Sequence, residues 1–529
     1  MHRRDVLKTA LAGAATLAAP LAAPRIGHAQ SAKTILFTPQ SDLASLDPVW
    51  TTADVTRNFS LAVYDTLYAY DAQFNVQPQM VAGATTEADG KLWKLTLRDG
   101  LTFHDGTPVL AKDCITSIMR FCVRDPFGQA LAMRVDEISA LSDKVIQFRL
   151  KQPFALLPNA LAQVYCVMMP QRLAKTDAFT QISDVVGSGP FRYLASERVV
   201  GQRVVVEKFD KYVPRPDGTP SFNAGPKVVY VDRVVWNVIP DAATASAALT
   251  QGEIDWWEQP TIDLIPILKR SKDITVTVKD RTGEMGCLRF NQLFPPFDNA
   301  AIRRVVVTAM DQKEVMDAVA GSDLSLVQTD IGLFVPGTPM ANTAGVDITR
   351  GPKKYDKLKQ DLTAAGYKGE KVVILAASNF PTIWAEAQVA TDTLKKIGMN
   401  VDFQSLDWSA VVQRRASKQP IDKGGWNIFF TFLGGFGNIS PAPNIAITTG
   451  AGSWFGWPND PEMDKLRSSW FNAPDLATQQ KIAGQMQAEF WKNPSYAPLG
   501  MYDQPTAFQN HLTGIRDGWP QFYGVKKNA

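Results

Sequence analysis

Apolar positions along this chain switch repeatedly between a period of two and a period near 3.6, so strands and helices alternate. The stretch 286–321 shows this best. Cys287, Leu288, Arg289, Phe290 and Asn291 read as a strand. Pro295 and Pro296 end it, because neither can donate to a sheet ladder. Asp298 or Asn299 then offers a helix cap. Ile302, Val305, Val306, Ala309 and Met310 fall at i, i+3, i+4, i+7 and i+8. That is a core-facing stripe, with Arg303, Arg304, Asp311, Lys313 and Glu314 polar around it. One strand–turn–helix unit packed on a core is the expectation.

The same reading extends both ways. Upstream, 33–39 predicts a strand, and 56–68 a helix with Phe59, Ala62, Val63 and Leu67 on one face. Strands are predicted over 92–98, 144–150, 204–207, 228–239, 252–255 and 274–278, and helices over 242–251 and 261–269. Asp99-Gly100 and Asp105-Gly106 predict tight turns. Thr107 then reads as a cap and Pro108 as the first residue of a helix carrying Cys114, Ile118 and Cys122. His104 reads as a turn residue. Downstream, helix 355–365, strand 372–377, helix 384–397 and strand 401–406 imply a partly parallel sheet covered on both faces. A further helix spans 478–491. No internal repeat or low-complexity segment interrupts the pattern.

Length changes the picture first, because 529 residues exceed one ordinary core and predict two or three domains. The net charge of +3 is an effect of the start of the chain. Residues 1–29 hold Arg3, Arg4, Lys8 and Arg25 against Asp5, and the remainder is formally neutral. No basic field therefore argues for nucleic acid. Arg3-Arg4-Asp5-Val6-Leu7-Lys8, an Ala/Leu-rich run and Gly27-His28-Ala29 read as a twin-arginine export signal cleaved before Gln30, which predicts a periplasmic destination. No Cys lies near that cleavage point to anchor a lipid. Beyond residue 29 no apolar run approaches the ~18 residues of a membrane helix.

Cys114 and Cys122 lie eight residues apart on one predicted helix, about 12 Å at 1.5 Å per residue. A disulfide needs Cα atoms within roughly 7 Å, so that pair cannot bridge. Cys114, Cys122, Cys166 and Cys287 are expected as buried thiols. No Cys/His cluster suggests a metal, and no cofactor is expected.

After residue 29 only His104 and His511 remain as histidines. No G-x-S-x-G, H-E-x-x-H, P-loop or dinucleotide fingerprint occurs, so a secreted hydrolase stands as the alternative and not as the main reading. A binding cleft should instead be apolar and aromatic with a few fixed polar groups. The region 401–457 fits, with Trp408, Trp426, Phe429, Phe430, Phe432, Phe436, Trp454, Phe455 and Trp457. Of these, 426–432 alternates like a buried strand. In Leu433–Asn444, Gly434, Gly435 and Gly437 let backbone approach a ligand closely, which places Phe436 and Asn438 at a cleft edge.

The wording of several stretches is more specific than their pattern. FNQLFPPFDNAAIRRVVVTAMD, the Leu97–Gly100 and Phe103–Pro108 turns, VGSGPF at 186–191 and APLGMYDQPTAF at 497–508 together resemble the family 5 extracellular solute-binding proteins. These are oligopeptide- and dipeptide-binding components of bacterial ABC importers, with relatives for nickel, sugars and opines. The resemblance implies an α/β two-lobe periplasmic-binding-protein fold of type II, with an extra subdomain in the first lobe. It divides the chain into a lobe 1 core (30–59, 187–283 and 495–529), a lobe 1 subdomain (60–186) and lobe 2 (284–494). It implies a monomer that closes on a peptide or other small solute and docks on membrane permease subunits. A ligand-sensing partner with the same fold would differ only in what it docks on.

The LDP segment at 46–48 leads toward the cleft in that family, which brings in Trp50. Arg415 matches an Arg that lies near ligand in oligopeptide-binding relatives, and Trp408 precedes it on a predicted helix. At one place the sequence departs. Peptide binders carry an Asp four residues before the Pro matched by Pro441, where it pairs with the peptide ammonium, and here that place holds Gly437. The expected binding set is Trp50, Trp408, Arg415, Gly435, Phe436, Gly437 and Asn438.

Overall fold

A computed structural model describes residues 33–321, 323–450 and 453–528, so the export signal lies outside the described residues. Two large mixed sheets form the frame. The first runs in the order Ile274–Val278, Pro505–Gln509, Trp256–Trp257, Thr34–Thr38, Arg233–Asn237, Arg203–Lys208, Phe191–Tyr193. The second runs Val327–Gln328, Tyr496–Tyr502, Glu284–Phe290, Ile428–Gly434, Lys371–Ala377, Asn400–Leu406. A four-stranded antiparallel sheet of Val81–Glu87, Leu92–Leu97, Val145–Leu150 and Val135–Ala140 stands apart, covered by the helix Ala111–Arg124.

The predicted β-α-β unit is present. Lys371–Ala377 pairs in parallel with Asn400–Leu406 and with Ile428–Gly434, and the helix Pro381–Lys396 covers it. Val372 through Ala377 are all buried, as a central strand covered on both faces requires.

The chain crosses between the two large sheets twice, over 279–283 and again over 503–504. The second crossing corrects the expected division at 495. Tyr496–Tyr502 pairs with Glu284–Phe290 and with Val327–Gln328 in the second sheet, and only Pro505–Gln509 returns to the first. All seven residues of Tyr496–Tyr502 are buried, so this strand is central to the second lobe.

In the opening stretch, the Asn299 side chain accepts from the Ala301 N–H at 2.9 Å and starts the helix Ala300–Ala309. The expected single stripe breaks at Met310. Asp311 caps a second helix, Gln312–Ala320, by accepting from the Lys313 and Glu314 N–H groups. Arg303 is buried, although expected to be polar surface; its Nε donates to Pro494 O at 2.8 Å and its Nη1 to Phe297 O at 2.5 Å. A guanidinium can enter a core where backbone carbonyls take its protons.

Thr107 and Pro108 do not start a helix. Asp105 accepts from the Thr107 N–H and hydroxyl, Pro108 bridges to Thr102, and the helix begins at Ala111, where Asp113 accepts from the Leu110 N–H at 3.0 Å. Asp255 is not in a strand either. It anchors the sheet, accepting from the Leu36 N–H and from Lys527 Nζ at 2.7 and 2.9 Å. The predicted helix over 261–269 is two short turns, Ile262–Leu264 and Ile265–Leu268. All four cysteines are buried and unbridged.

Candidate ligand cleft

A cavity of about 530 Å³ lies where the two large sheets face each other. Its size falls in the usual range for small-molecule sites. The first-sheet side contributes 48–55 and Arg57, which follow Asp47 out of the LDP turn. Asp47 is itself buried and holds Arg120 through both guanidinium nitrogens at 3.0 and 2.7 Å. That pair fixes the segment from which Trp50, Asp54 and Arg57 reach the cavity. The second-sheet side contributes Glu284, the end of the strand Ile428–Gly434, the loop after it, and the helix Trp408–Arg414 with Arg415.

Arg415 dominates the chemistry. It is 8 % exposed and lies against four aromatic rings, Trp408, Phe429, Trp454 and Phe455, at 4.8 to 5.8 Å from their centroids. Its Nε has no acceptor, and no carboxylate pairs with it among the described residues. Burial pulls its pKa down to about 10, so it remains a cation at neutral pH. A buried, unpaired guanidinium in an aromatic cage has donors and charge that an anionic group can take up.

The loop 434–438 carries the second-lobe side onto the first. Phe436 packs edge-on against Trp519 at 4.9 Å and Tyr70 at 5.2 Å, and stacks on Phe222 at 5.7 Å. Those rings belong to the first-lobe side, so Phe436 closes one end of the cleft. Gly437 and Asn438 line the cavity, and a Cβ at Gly437 would meet nothing within 4 Å. The Asn438 side chain donates to Gly434 O at 3.2 Å, and the Asn438 backbone carbonyl accepts from the Val335 N–H.

Trp50, Trp408, Arg415, Phe436, Gly437 and Asn438 all line this one cavity. Gly435 is the exception and a correction. A Cβ there would lie 1.8 Å from Thr282 O, so this glycine lets the loop pack on the crossing segment 279–283 and does not face the cavity. His104 is a latch between turns: Nδ1 accepts from the Gly187 N–H at 3.2 Å and Nε2 lies 3.0 Å from Gly189 O. Of the aromatics in 401–457, Trp426, Phe429 and Phe430 are core, while Phe432, Trp454 and Phe455 reach the cavity.

Sequence reasoning missed Asp54, Arg57 and Glu284. Arg57 pairs with Asp54 at 2.7 Å and lies over the Trp519 ring at 4.5 Å. Nothing local distinguishes these residues, since each sits inside an ordinary helix or strand pattern.

Glu258, behind this group, accepts from the Gln40 N–H and from Asn58 Nδ2. Burial pushes its carboxyl up to about 7 despite those bonds and the Arg57 charge. The folded state therefore holds that proton more tightly than the unfolded chain. Its stabilisation is complete below the unfolded value of about 4.5 and is lost as pH rises through 7. The melting temperature should fall between about pH 5 and pH 8, and Glu258→Gln should flatten that slope. An unchanged slope in the variant rejects the assignment.

The chain belongs to the bacterial extracellular solute-binding proteins, family 5, whose model matches residues 75–456. A probable peptide ABC transporter periplasmic-binding protein, y4tO of Sinorhizobium fredii, is 36% identical over 97% of both chains. The glutathione-binding protein GsiB of Pectobacterium atrosepticum is 23% identical over 96% of this chain and 95% of its own. Among solved structures, the periplasmic binding protein AgaA with agropinic acid, from A. tumefaciens R10, superposes with a TM-score of 0.79 at 21% identity, covering 94% of this chain and 99% of that one. A dipeptide-binding protein from Pseudoalteromonas sp. SM9913 with Met-Leu gives 0.76 at 20% identity, covering 94% and 100%. The two-lobe α/β fold of the type II periplasmic binding proteins is thus the fold of this chain.

Proposed function

We propose that this protein captures a peptide or peptide-like solute bearing a free carboxylate and delivers it to the permease of an ABC importer. The observation that carries the reading is Arg415, an unpaired buried cation in the wall of the inter-lobe cavity. Family membership and the 36% identical peptide-transporter relative support the transport role. Residues 284–502 form the lobe that swings, on the crossings 279–283 and 503–504. The ligand binds the closed arrangement better than the open one and so shifts the population toward it. The Arg3-Arg4 leader supports export by the twin-arginine route, and the protein acts as a monomer without a cofactor.

A thermal-shift screen of the exported form tests this, with di- and tripeptides, their C-terminal amides, opines, sugars and metal chelates. A ligand at a hundred times its Kd stabilises by about 2.7 kcal/mol. Stabilisation by free acids and not by the matching amides is the expected result. Stabilisation by sugars or chelates alone overturns it.

A further inference from the structure

We propose that Phe471 clasps the second lobe to the unit built on the four-stranded sheet, so that the protein populates the closed arrangement before any ligand enters and this residue sets affinity without touching the ligand. The proposal rests on the lobe closure of the reading above and on no choice of ligand.

Two helices make the clasp, one from each side of the cleft. Asp125 caps the first, Pro126–Arg134, by accepting from the Phe127 and Gly128 N–H groups at 2.8 and 3.0 Å, with Pro126 at its first position. Asp125 and Pro126 line the cavity, so the clasp begins one residue beyond its wall. Asp460 caps the second helix, Pro461–Phe471, by accepting from the Met463 N–H at 2.9 Å. Arg467 and Phe471 stand four residues apart on that helix and so share a face. The Arg467 guanidinium lies 5.2 Å from the centroid of the Phe471 ring.

The buried Phe471 ring crosses to the other side, where its centroid is 5.7 Å from that of Phe127 and 6.1 Å from that of Phe154. Arg134 lies over the same ring at 5.0 Å, so each side contributes one guanidinium to it. The next residue, Asn472, accepts from Arg134 Nη2 at 3.0 Å and from Gln152 Nε2 at 3.2 Å. Arg467 completes the bridge. Its Nη2 donates to Pro126 O at 3.3 Å, while its Nε and Nη2 hold Pro441 O and Ala442 O, each at 3.0 Å.

Apolar burial, cation–π attraction and hydrogen bonds thus all cross between the lobes at one point. Opening would strip Phe471 of Phe127, Phe154 and Arg134 together. Losing the burial of one phenylalanine side chain changes the ratio of closed to open molecules by about tenfold to a hundredfold. Phe436 makes a comparable contact, but it also lines the cavity, so a change there alters the surroundings of the ligand as well. Phe471, Phe127, Phe154 and Arg134 lie outside the cavity wall. They act on affinity only through the fraction of molecules in the binding-competent form.

Small-angle X-ray scattering of the exported full-length protein, with no ligand added, tests this. Wild type should scatter as the closed arrangement. Phe471→Ala should expand it, with the closed-to-open ratio lowered about tenfold or more and the circular dichroism unchanged. Should that variant lose its circular dichroism, Asn472→Lys decides. Residue 472 is exposed, so the fold tolerates the change, and the new cation removes an acceptor and faces Arg134 and Arg467. An expanded Asn472→Lys protein is again the expected result. A ligand-free wild type that is already open overturns the clasp and leaves closure to the ligand alone. A folded variant as compact as wild type overturns it too, and the transport reading stands in both cases.

Discussion

Arg415→Met should make the empty protein more stable and a worse binder at once. The guanidinium is buried among Trp408, Phe429, Trp454 and Phe455 with no carboxylate to offset its desolvation. Replacing an unpaired buried ion by a flexible apolar chain removes that penalty, and gains of about 1–4 kcal/mol have precedent for buried ionic groups. The same change strips a carboxylate ligand of its partner, at a cost of about 2–5 kcal/mol, thirtyfold or more in affinity. Denaturant midpoints of the apo proteins and calorimetric Kd values with a free-acid peptide check the two halves. A residue with a purely structural role would move stability down and binding little. Lower stability with unchanged affinity therefore sinks the assignment of Arg415 to the ligand.

Two glycines in one loop should respond oppositely to the same mutation. Gly435→Ala places a methyl 1.8 Å from the Thr282 carbonyl oxygen and 2.9 Å from that of Gly283. Both obstacles are backbone at the crossing between the lobes, so no side chain can rotate away. Overpacking of this kind costs about 1–3 kcal/mol, and a backbone obstacle belongs at the upper end. Gly437→Ala meets nothing within 4 Å and should stay within about 0.5 kcal/mol of wild type. Urea unfolding of the pair decides the matter. Equal losses would mean that the loop does not pack on the crossing as described.

The contrast also shows how far the sequence carries. The glycines of 434–437 announced close backbone approach, and the loop does approach closely. Whether the neighbour was a ligand or another strand was not local information, and for Gly435 it is the chain at Thr282. Strands such as Ile274–Val278 and the β-α-β unit after Lys371 were legible because periodicity within one segment encodes them. The sheet to which Tyr496–Tyr502 belongs was not, since pairing with Glu284–Phe290 spans over two hundred residues. Glu284 escaped notice for a related reason. Its place in the cavity wall with Asp54 and Arg57 is made by the fold, which brings 54–57 and 284 together from separate parts of the chain. Arg303 was misread as surface because its acceptors, Phe297 O and Pro494 O, carry no side-chain signature.

The late return of the chain bears on how the molecule is made. Pro505–Gln509 sits between Ile274–Val278 and Trp256–Trp257, inside the first sheet and not at its rim. Tyr496–Tyr502 likewise lies inside the second, between Glu284–Phe290 and Val327–Gln328. A growing chain that has reached residue 495 therefore lacks an interior strand in each lobe, and neither can complete its ladder. The emergence of residues 496–509, and not of a first domain, sets the moment at which both halves can complete their sheets.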